Sequence, residues 1–451
     1  MRRWLIIAGV LSLVSLLCTL GSATQQALVL AALVGGGFAG LVVLRPVAGL
    51  AILLVASLTL DVSVETETQT QLNAAVLLVP FLFALWVAGM IRGRQVRLLH
   101  SRAVYAALAF AAASVVAFLA GMQPLPFVHP APLRAQLGGL GVFLLSVAAF
   151  VLVAHQVRTL SALRLLTWLF LAVGSLYVIG RTVPGLDALA HSLFQPGATG
   201  SLYWTWLVAL AFSQAAFNRS LPWIGRVLLA GLVVAALQVG LFQATWWASG
   251  WLPPLVAVLV SLWVGAPRLA FFVTLVGVAA AAFESQTIIQ MVMVGDQEYS
   301  LLTRREAFWV LAQIIGESPL LGLGPANYYY HTPNYSILGW FVSFSSHNNY
   351  VDIIAQTGLL GFATFCWLVV ELALLGWRLR QRVPVGFTQA YVYGVIGGLA
   401  GTLVAATMAD WLVPFVYNVG MQGFRSSVLG WIFLGGLVSV AAGVDRKDAH
   451  S

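Results

Sequence analysis

Fourteen apolar runs, each spanning a bilayer or nearly so, constrain this chain more than any other feature. They lie at about 4–20, 27–44, 47–60, 73–91, 103–120, 135–155, 162–180, 201–217, 227–243, 253–265, 269–283, 352–375, 389–408 and 426–443. A helix needs about 20 apolar residues to cross the hydrocarbon core. Only 8% of the residues are charged, against about 25% in a soluble domain. Water would not tolerate that much apolar surface, so the solvent must be lipid. In lipid every backbone polar group has to be satisfied within the chain, and helices do this segment by segment. The expected fold is an all-α polytopic membrane protein with about 12–14 transmembrane helices.

The charges give an orientation. With the N-terminus inside and the runs alternating, 17 of the 22 basic residues fall in inner segments. Arg134, Arg181, Arg304, Arg305 and Arg425 fall outside. This is the positive-inside pattern, and it puts both termini on the cytoplasmic side. The net charge of +8 is spread over short loops rather than gathered in a patch, which argues against a nucleic-acid partner. Membrane lipids are the expected surroundings. Residues 1–283 then hold helices 1–11, residues 284–351 form one large outer loop with short helices, and 352–451 hold helices 12–14 and a short cytoplasmic tail.

The 68-residue outer loop stands out because long loops in compact proteins are usually functional. Thr303 and Glu306 form a capping box before an apolar stretch, so a helix is expected over 304–316, stopped by Gly316 and Pro319. Arg304 and Arg305 then occupy its first turn. That position suits a cation poorly and a bound phosphate well. Arginine also runs against the positive-inside bias here, and its planar fork matches phosphate oxygens. His347 lies where the loop returns to the membrane, between Ser346 and Asn348, and its near-neutral pKa suits general-base work. Cys18 and Cys366 both sit in apolar runs. There is no spacing for a metal site, no phosphate-binding glycine loop and no G-x-S-x-G motif; no cofactor is expected.

Arg305-x-x-x-Trp309, Ser318-Pro319-Leu320-Leu321-Gly322-x-Gly324-Pro325-x-Asn327-Tyr328, and His347-Asn348 with Gly358 and Gly361 following resemble the O-antigen ligase and O-antigen polymerase superfamily of bacterial membrane glycosyltransferases. The resemblance covers 305–361. It implies a donor glycan on undecaprenyl pyrophosphate and transfer to an acceptor hydroxyl on lipid A-core or another glycan. The reaction would take place at the periplasmic face of the inner membrane, without metal or nucleotide sugar. It also implies His347 as the residue acting on the acceptor and Arg305 as a pyrophosphate contact. Arg304, Arg181, Arg425 and Asn348 join them as candidate substrate-binding residues, Arg181 standing for a second family arginine. A polysaccharide polymerase is the nearest alternative. A lipid-linked oligosaccharide flippase is a more distant one, disfavoured because such transporters line their path with charge and the runs here are nearly free of it.

Overall fold

The computed structural model describes residues 36, 39–40, 42–60, 63–65, 71–95, 98–123, 130–244, 247–283 and 298–448. The expected run at 4–20, most of that at 27–44, and loop residues 284–297 lie outside the described residues. Each of the other twelve runs is a helix. They are α1 (Pro46–Thr59), α2 (Ala74–Arg92), α3 (Arg102–Gly121), α4 (Leu133–Gln156), α5 (Leu160–Thr182), α7 (Ser201–Phe217), α8 (Trp223–Gln238), α9 (Ala248–Gly265), α10 (Pro267–Phe283), α13 (Asn349–Arg382), α14 (Phe387–Met408) and α15 (Phe424–Asp448). Among the described residues nine helices are long and apolar enough to cross a membrane: α2–α5, α8 with its π-helical extension Val239–Gln243, α9, and α13–α15. The protein is therefore an all-α polytopic membrane protein. The runs at α1, α7 and α10 form helices of only 14, 17 and 17 residues.

Two elements were not expected from the sequence, and a third starts earlier than expected. A short antiparallel ribbon pairs β1 (Ser63–Glu65) with β2 (Gln71–Asn73). Helix α6 (Asp187–Ala198) fills the connection after α5. The loop helix α11 (Glu298–Glu317) starts six residues early. Thr303 is therefore an interior helical residue and not a cap. Arg304 and Arg305 sit about two turns inside α11, so the helix-dipole argument for an anion at these positions does not hold. Helix α12 (Tyr328–His331) follows in the same loop.

Close backbone approach organises the interior. The face of α14 that carries Gly394, Gly397, Gly398 and Gly401 lies against Ala209, Ala257, Trp206 and Pro253. Small residues permit such contact where no hydrophobic effect between helices is available to drive it. Helix α7 is buried along nearly its whole length, which explains how 17 residues serve there: its neighbours solvate it rather than lipid.

The long helix α13 contains the feature that positions the site. Gly358 adopts φ 64°, ψ −171°, a region open essentially to glycine alone. The break removes the helical partners of Ala355 O, Gln356 O, Leu359 N and Leu360 N. The loop segment 319–324 supplies all four. Leu323 N donates to Ala355 O at 2.9 Å, Gly324 N to Gln356 O at 3.0 Å, Leu359 N to Pro319 O at 2.8 Å, and Leu360 N to Leu320 O at 3.1 Å. A Cβ on Gly322 would stand 2.5 Å from Gln356 C, and one on Gly121, at the end of α3, 2.4 Å from Leu323 O. The Pro-Leu-Leu-Gly-x-Gly-Pro segment is thus a backbone clamp wedged between the broken α13 and the end of α3. Asn327 extends it: its Nδ2 donates to Leu323 O at 2.8 Å and Gly121 O at 3.1 Å, while its Oδ1 accepts from Ala131 N at 3.0 Å.

Candidate functional site

The clamp fixes the first turn of α13 and the residues that lead into it. Asn348 caps the helix, its Oδ1 accepting from Tyr350 N at 2.9 Å and Val351 N at 3.4 Å, and its Nδ2 donating to Thr407 O at 3.3 Å. Asn349 is fully buried. It accepts from Leu412 N and Val413 N and donates to Val413 O, which ties α13 to the connection 409–423 between α14 and α15. Aromatic stacking joins that connection to the loop: Tyr328 stacks on Phe415 at 4.7 Å and Tyr329 on Tyr417 at 4.5 Å.

His347 is exposed and has φ 49°, a left-handed conformation that costs a non-glycine residue about 1–2 kcal/mol. Its ring is anchored from the 409–423 connection: Asn418 Nδ2 lies 3.1 Å from His347 Nδ1 and also donates to Asp410 Oδ1. Asp410 is buried, and its second oxygen accepts from Phe415 N at 2.6 Å. Burial pushes the Asp410 carboxyl up to about 6, against the opposing pull of the Phe415 and Asn418 hydrogen bonds. When ionised Asp410 can only accept, so it holds the amide nitrogen of Asn418 towards itself and towards Nδ1. Neutral His347 then carries its proton on Nε2. Base chemistry at Nε2 requires the Asn418 amide to turn over, so that its oxygen receives Nδ1–H.

A second buried carboxylate lies under the same turn. Asp352 Oδ1 accepts from Tyr328 Oη at 2.5 Å and from Ser346 Oγ at 2.6 Å. Its Oδ2 is buried with no hydrogen-bond partner among the described residues. Burial and then the adjacent Asp352 push the Tyr328 phenol well above its usual range, so Tyr328 remains a donor. Ser346 N in turn donates to Tyr328 Oη at 3.3 Å. This network pins Ser346 and Asn348 on either side of His347.

Ser345, Ser346, His347 and Asn348 line a cleft of about 480 Å³. Its other walls come from α11 (Phe308, Leu311), the loop (Trp340, Phe344) and the end of α14 (Thr407, Met408). The structure places His347 and Asn348 together as expected, although capping already occupies the Asn348 oxygen. Arg305 is 69% exposed, 3.9 Å from Glu306, on the α11 face that continues to Trp309; it is outside the cleft lining. The backbone of Arg304 lies one turn before Phe308, and its side chain lies outside the described residues. Arg181 is held in a separate cluster, donating to Asp187 Oδ1 at 2.8 Å and Gln243 Oε1 at 3.1 Å, with His191 Nε2 at 3.2 Å. Arg425, placed in an outer segment by the charge count, is 2% exposed near the start of α15 and is absent from the cleft walls. The connection before it is itself largely buried, from Leu412 to Val416 and at Met421 and Phe424, so Arg425 enters the bundle with it.

The chain matches no known family and no curated protein.

Sequence reasoning missed Asp352, Asp410 and Asn418, and gave Tyr328 no role beyond its place in the motif. Asp410 gave one signal, being an acidic residue directly after an apolar run. Nothing in the sequence pairs Asn418 with a histidine 71 positions earlier. Arg134, weighed only weakly from the sequence, lines a groove of about 1210 Å³ between α2, α3 and α4. Otherwise that groove is almost wholly apolar. From Arg134 to Val151 it follows α4 for about 25 Å at the helical rise.

Proposed function

We propose that the protein is a membrane glycosyltransferase of the O-antigen ligase and polymerase type. It moves a glycan from undecaprenyl pyrophosphate to an acceptor hydroxyl, with lipid A-core the preferred acceptor, at the periplasmic face of a bacterial inner membrane. The observation that carries this reading is the His347 cleft: an imidazole held at positive φ, anchored through Asn418 to buried Asp410, in a pocket that a membrane-spanning helix end helps to form. Strain of this sort is kept where surrounding structure over-determines it, and it clusters at sites of chemistry.

The cleft floor at Thr407 and Met408 is the last turn of α14. A pyrophosphate tethered by a prenyl tail is confined to that same depth. The acceptor oxygen forms a bond to sugar C1 as the C1–O bond to pyrophosphate breaks. The electron pair leaves with the pyrophosphate, and the hydroxyl proton passes to His347 Nε2 once the Asn418 amide has turned. Arg305 supplies a fork for the departing charge. The groove that Arg134 lines has the length and apolar character that a lipid chain requires. A polymerase would use the same parts with a second lipid-linked glycan as acceptor.

The test is transfer in vitro, with purified protein, lipid-linked glycan and candidate acceptors, with chelator present throughout. Product on a lipid A-core acceptor supports the ligase reading, and product only on a second lipid-linked glycan supports the polymerase. No product with any acceptor, or loss of product with chelator alone, contradicts the proposal.

A further inference from the structure

The loop carries an apolar surface that its own interior does not use. Ile337 and Trp340 exchange backbone hydrogen bonds at 2.8 Å each way, closing a two-residue hairpin turn. Both tip residues have positive φ, Leu338 at 49° and Gly339 at 86°, as this turn type demands. Glycine or asparagine usually fills such positions, yet a leucine stands at the first. Beyond the turn Trp340 is 68% and Phe341 64% exposed, and Phe308 and Trp309 on α11 are 57% and 62% exposed. Phe308, Trp340 and Val342 border the His347 cleft together, so hairpin and helix present one continuous face.

Two contacts fix the depth of this face. The cleft that it borders is floored by Thr407 and Met408, the final residues of the spanning helix α14. The C-terminal end of α11 runs directly into Pro319 and Leu320, which are hydrogen-bonded to Leu359 and Leu360 at the start of the unbroken part of α13. Leu320, Leu321, Leu359 and Leu360 are all exposed there and begin the apolar surface of the span. The aromatic face therefore lies level with the end of α14, which Asn348 meets at the start of α13, and α11 leads from it to the exposed leucines about three turns further along α13. Tryptophan and other aromatic rings settle at that depth, at the boundary of hydrocarbon and headgroup. Arg305, exposed beside Trp309, adds the charge that complements anionic headgroups.

We propose that Leu338, Trp340, Phe341, Phe308 and Trp309 form a docking surface for the lipid bilayer itself. They seat the loop in the interfacial layer, so that the His347 cleft opens sideways towards lipid and not upwards into water. The inference concerns the placement of the loop and stands apart from the reaction proposed above.

The experiment uses the full chain with Cys18→Ser and Cys366→Ala, reconstituted in nanodiscs of phosphatidylethanolamine and phosphatidylglycerol. Phe341→Cys and, separately, Leu338→Cys carry an environment-sensitive fluorophore, and Asn334→Cys, exposed on the same loop, serves as the comparison. Docking predicts blue-shifted emission at 341 and 338, quenching of at least about twofold by lipids brominated near the headgroup, and little quenching by aqueous iodide. Position 334 should show weaker lipid quenching. Water-like emission with full iodide quenching at both 341 and 338 overturns the proposal. Blue-shifted emission that brominated lipid does not quench, and that fades on dilution of the protein, overturns it in favour of contact with a second copy of the chain.

Discussion

The two halves of the 305–361 motif behave differently. The half running from Ser318 to Asn327, with Gly358, is packed and satisfied, and its backbone groups meet the break in α13 atom by atom. The half around Arg305, Phe308 and Trp309 is exposed, and among the described residues Arg305 has Glu306 beside it while Phe308 and Trp309 meet each other edge to face. The packed half sets geometry, and the exposed half is the part left open for the bilayer contact proposed above. His347 lies at their boundary, with its backbone fixed by the packed half and its ring in the cleft that the exposed half borders.

The largest effect should come from the packed half. Gly358→Val places a Cβ only 2.3 Å from Leu320 O, in a backbone region that costs other residues roughly 1–3 kcal/mol. The variant is expected to accumulate poorly and to elute as an aggregate in size-exclusion chromatography. Normal yield with normal transfer would show that the clamp is dispensable and dissolve the contrast between the halves.

Substitution in the exposed half should leave the fold alone. Arg305→Ala is expected to cut transfer by about 100-fold, the scale of losing a charge-stabilising donor, with an unchanged melting temperature. Arg305→Lys should recover only part, because lysine keeps the charge and loses the fork. Equal activity in the lysine variant would mean that charge alone matters, and full activity in the alanine variant would remove Arg305 from the site.

The sequence disclosed the all-α spanning architecture, since run length and charge placement follow directly from the physics of lipid. It disclosed the His347-Asn348 turn as a place of interest for the same local reason, a polar cluster at a membrane re-entry. Helix α11 began earlier than the capping box suggested because Thr303-x-x-Glu306 also fits a helix interior. The Asp410–Asn418–His347 chain was not visible because it is made by residues 63 to 71 positions apart and depends on how 409–423 folds over the loop. The burial of Arg425 was not visible either, because it follows from the packing of α15 and of the connection before it.

A smaller effect is expected at Asp410, which lies outside the motif in the 409–423 connection and acts on the ring through Asn418. Its folded-state carboxyl titrates near 6, above the ordinary carboxylate value. Between those two values the folded state holds the proton more tightly, so this residue's contribution to stability falls as pH rises through the window. For transfer the sign is the same: the ionised carboxylate holds the Asn418 amide in the orientation that keeps the His347 proton on Nε2, whereas the neutral acid, below about 6, can donate to the turned amide oxygen that receives Nδ1–H. Asp410→Asn, neutral at every pH and able to donate to the turned amide oxygen, should keep turnover within about threefold of normal and remove this group's part of the pH–rate profile, leaving the limb due to histidine. A pH–rate profile identical to that of the unaltered protein would remove Asp410 from the positioning of His347.

The account rests most heavily on His347 as the residue that handles the acceptor hydroxyl while other groups hold the donor. The most direct measurement compares turnover with affinity for the lipid-linked donor in purified His347→Asn. Asparagine tolerates positive φ better than most residues, so strain and fold are preserved while the imidazole is lost. The predicted result is a fall in turnover of about 100- to 10,000-fold, with donor affinity and melting temperature near those of the unaltered protein. Near-normal turnover, or donor affinity lost in parallel with turnover, would contradict it.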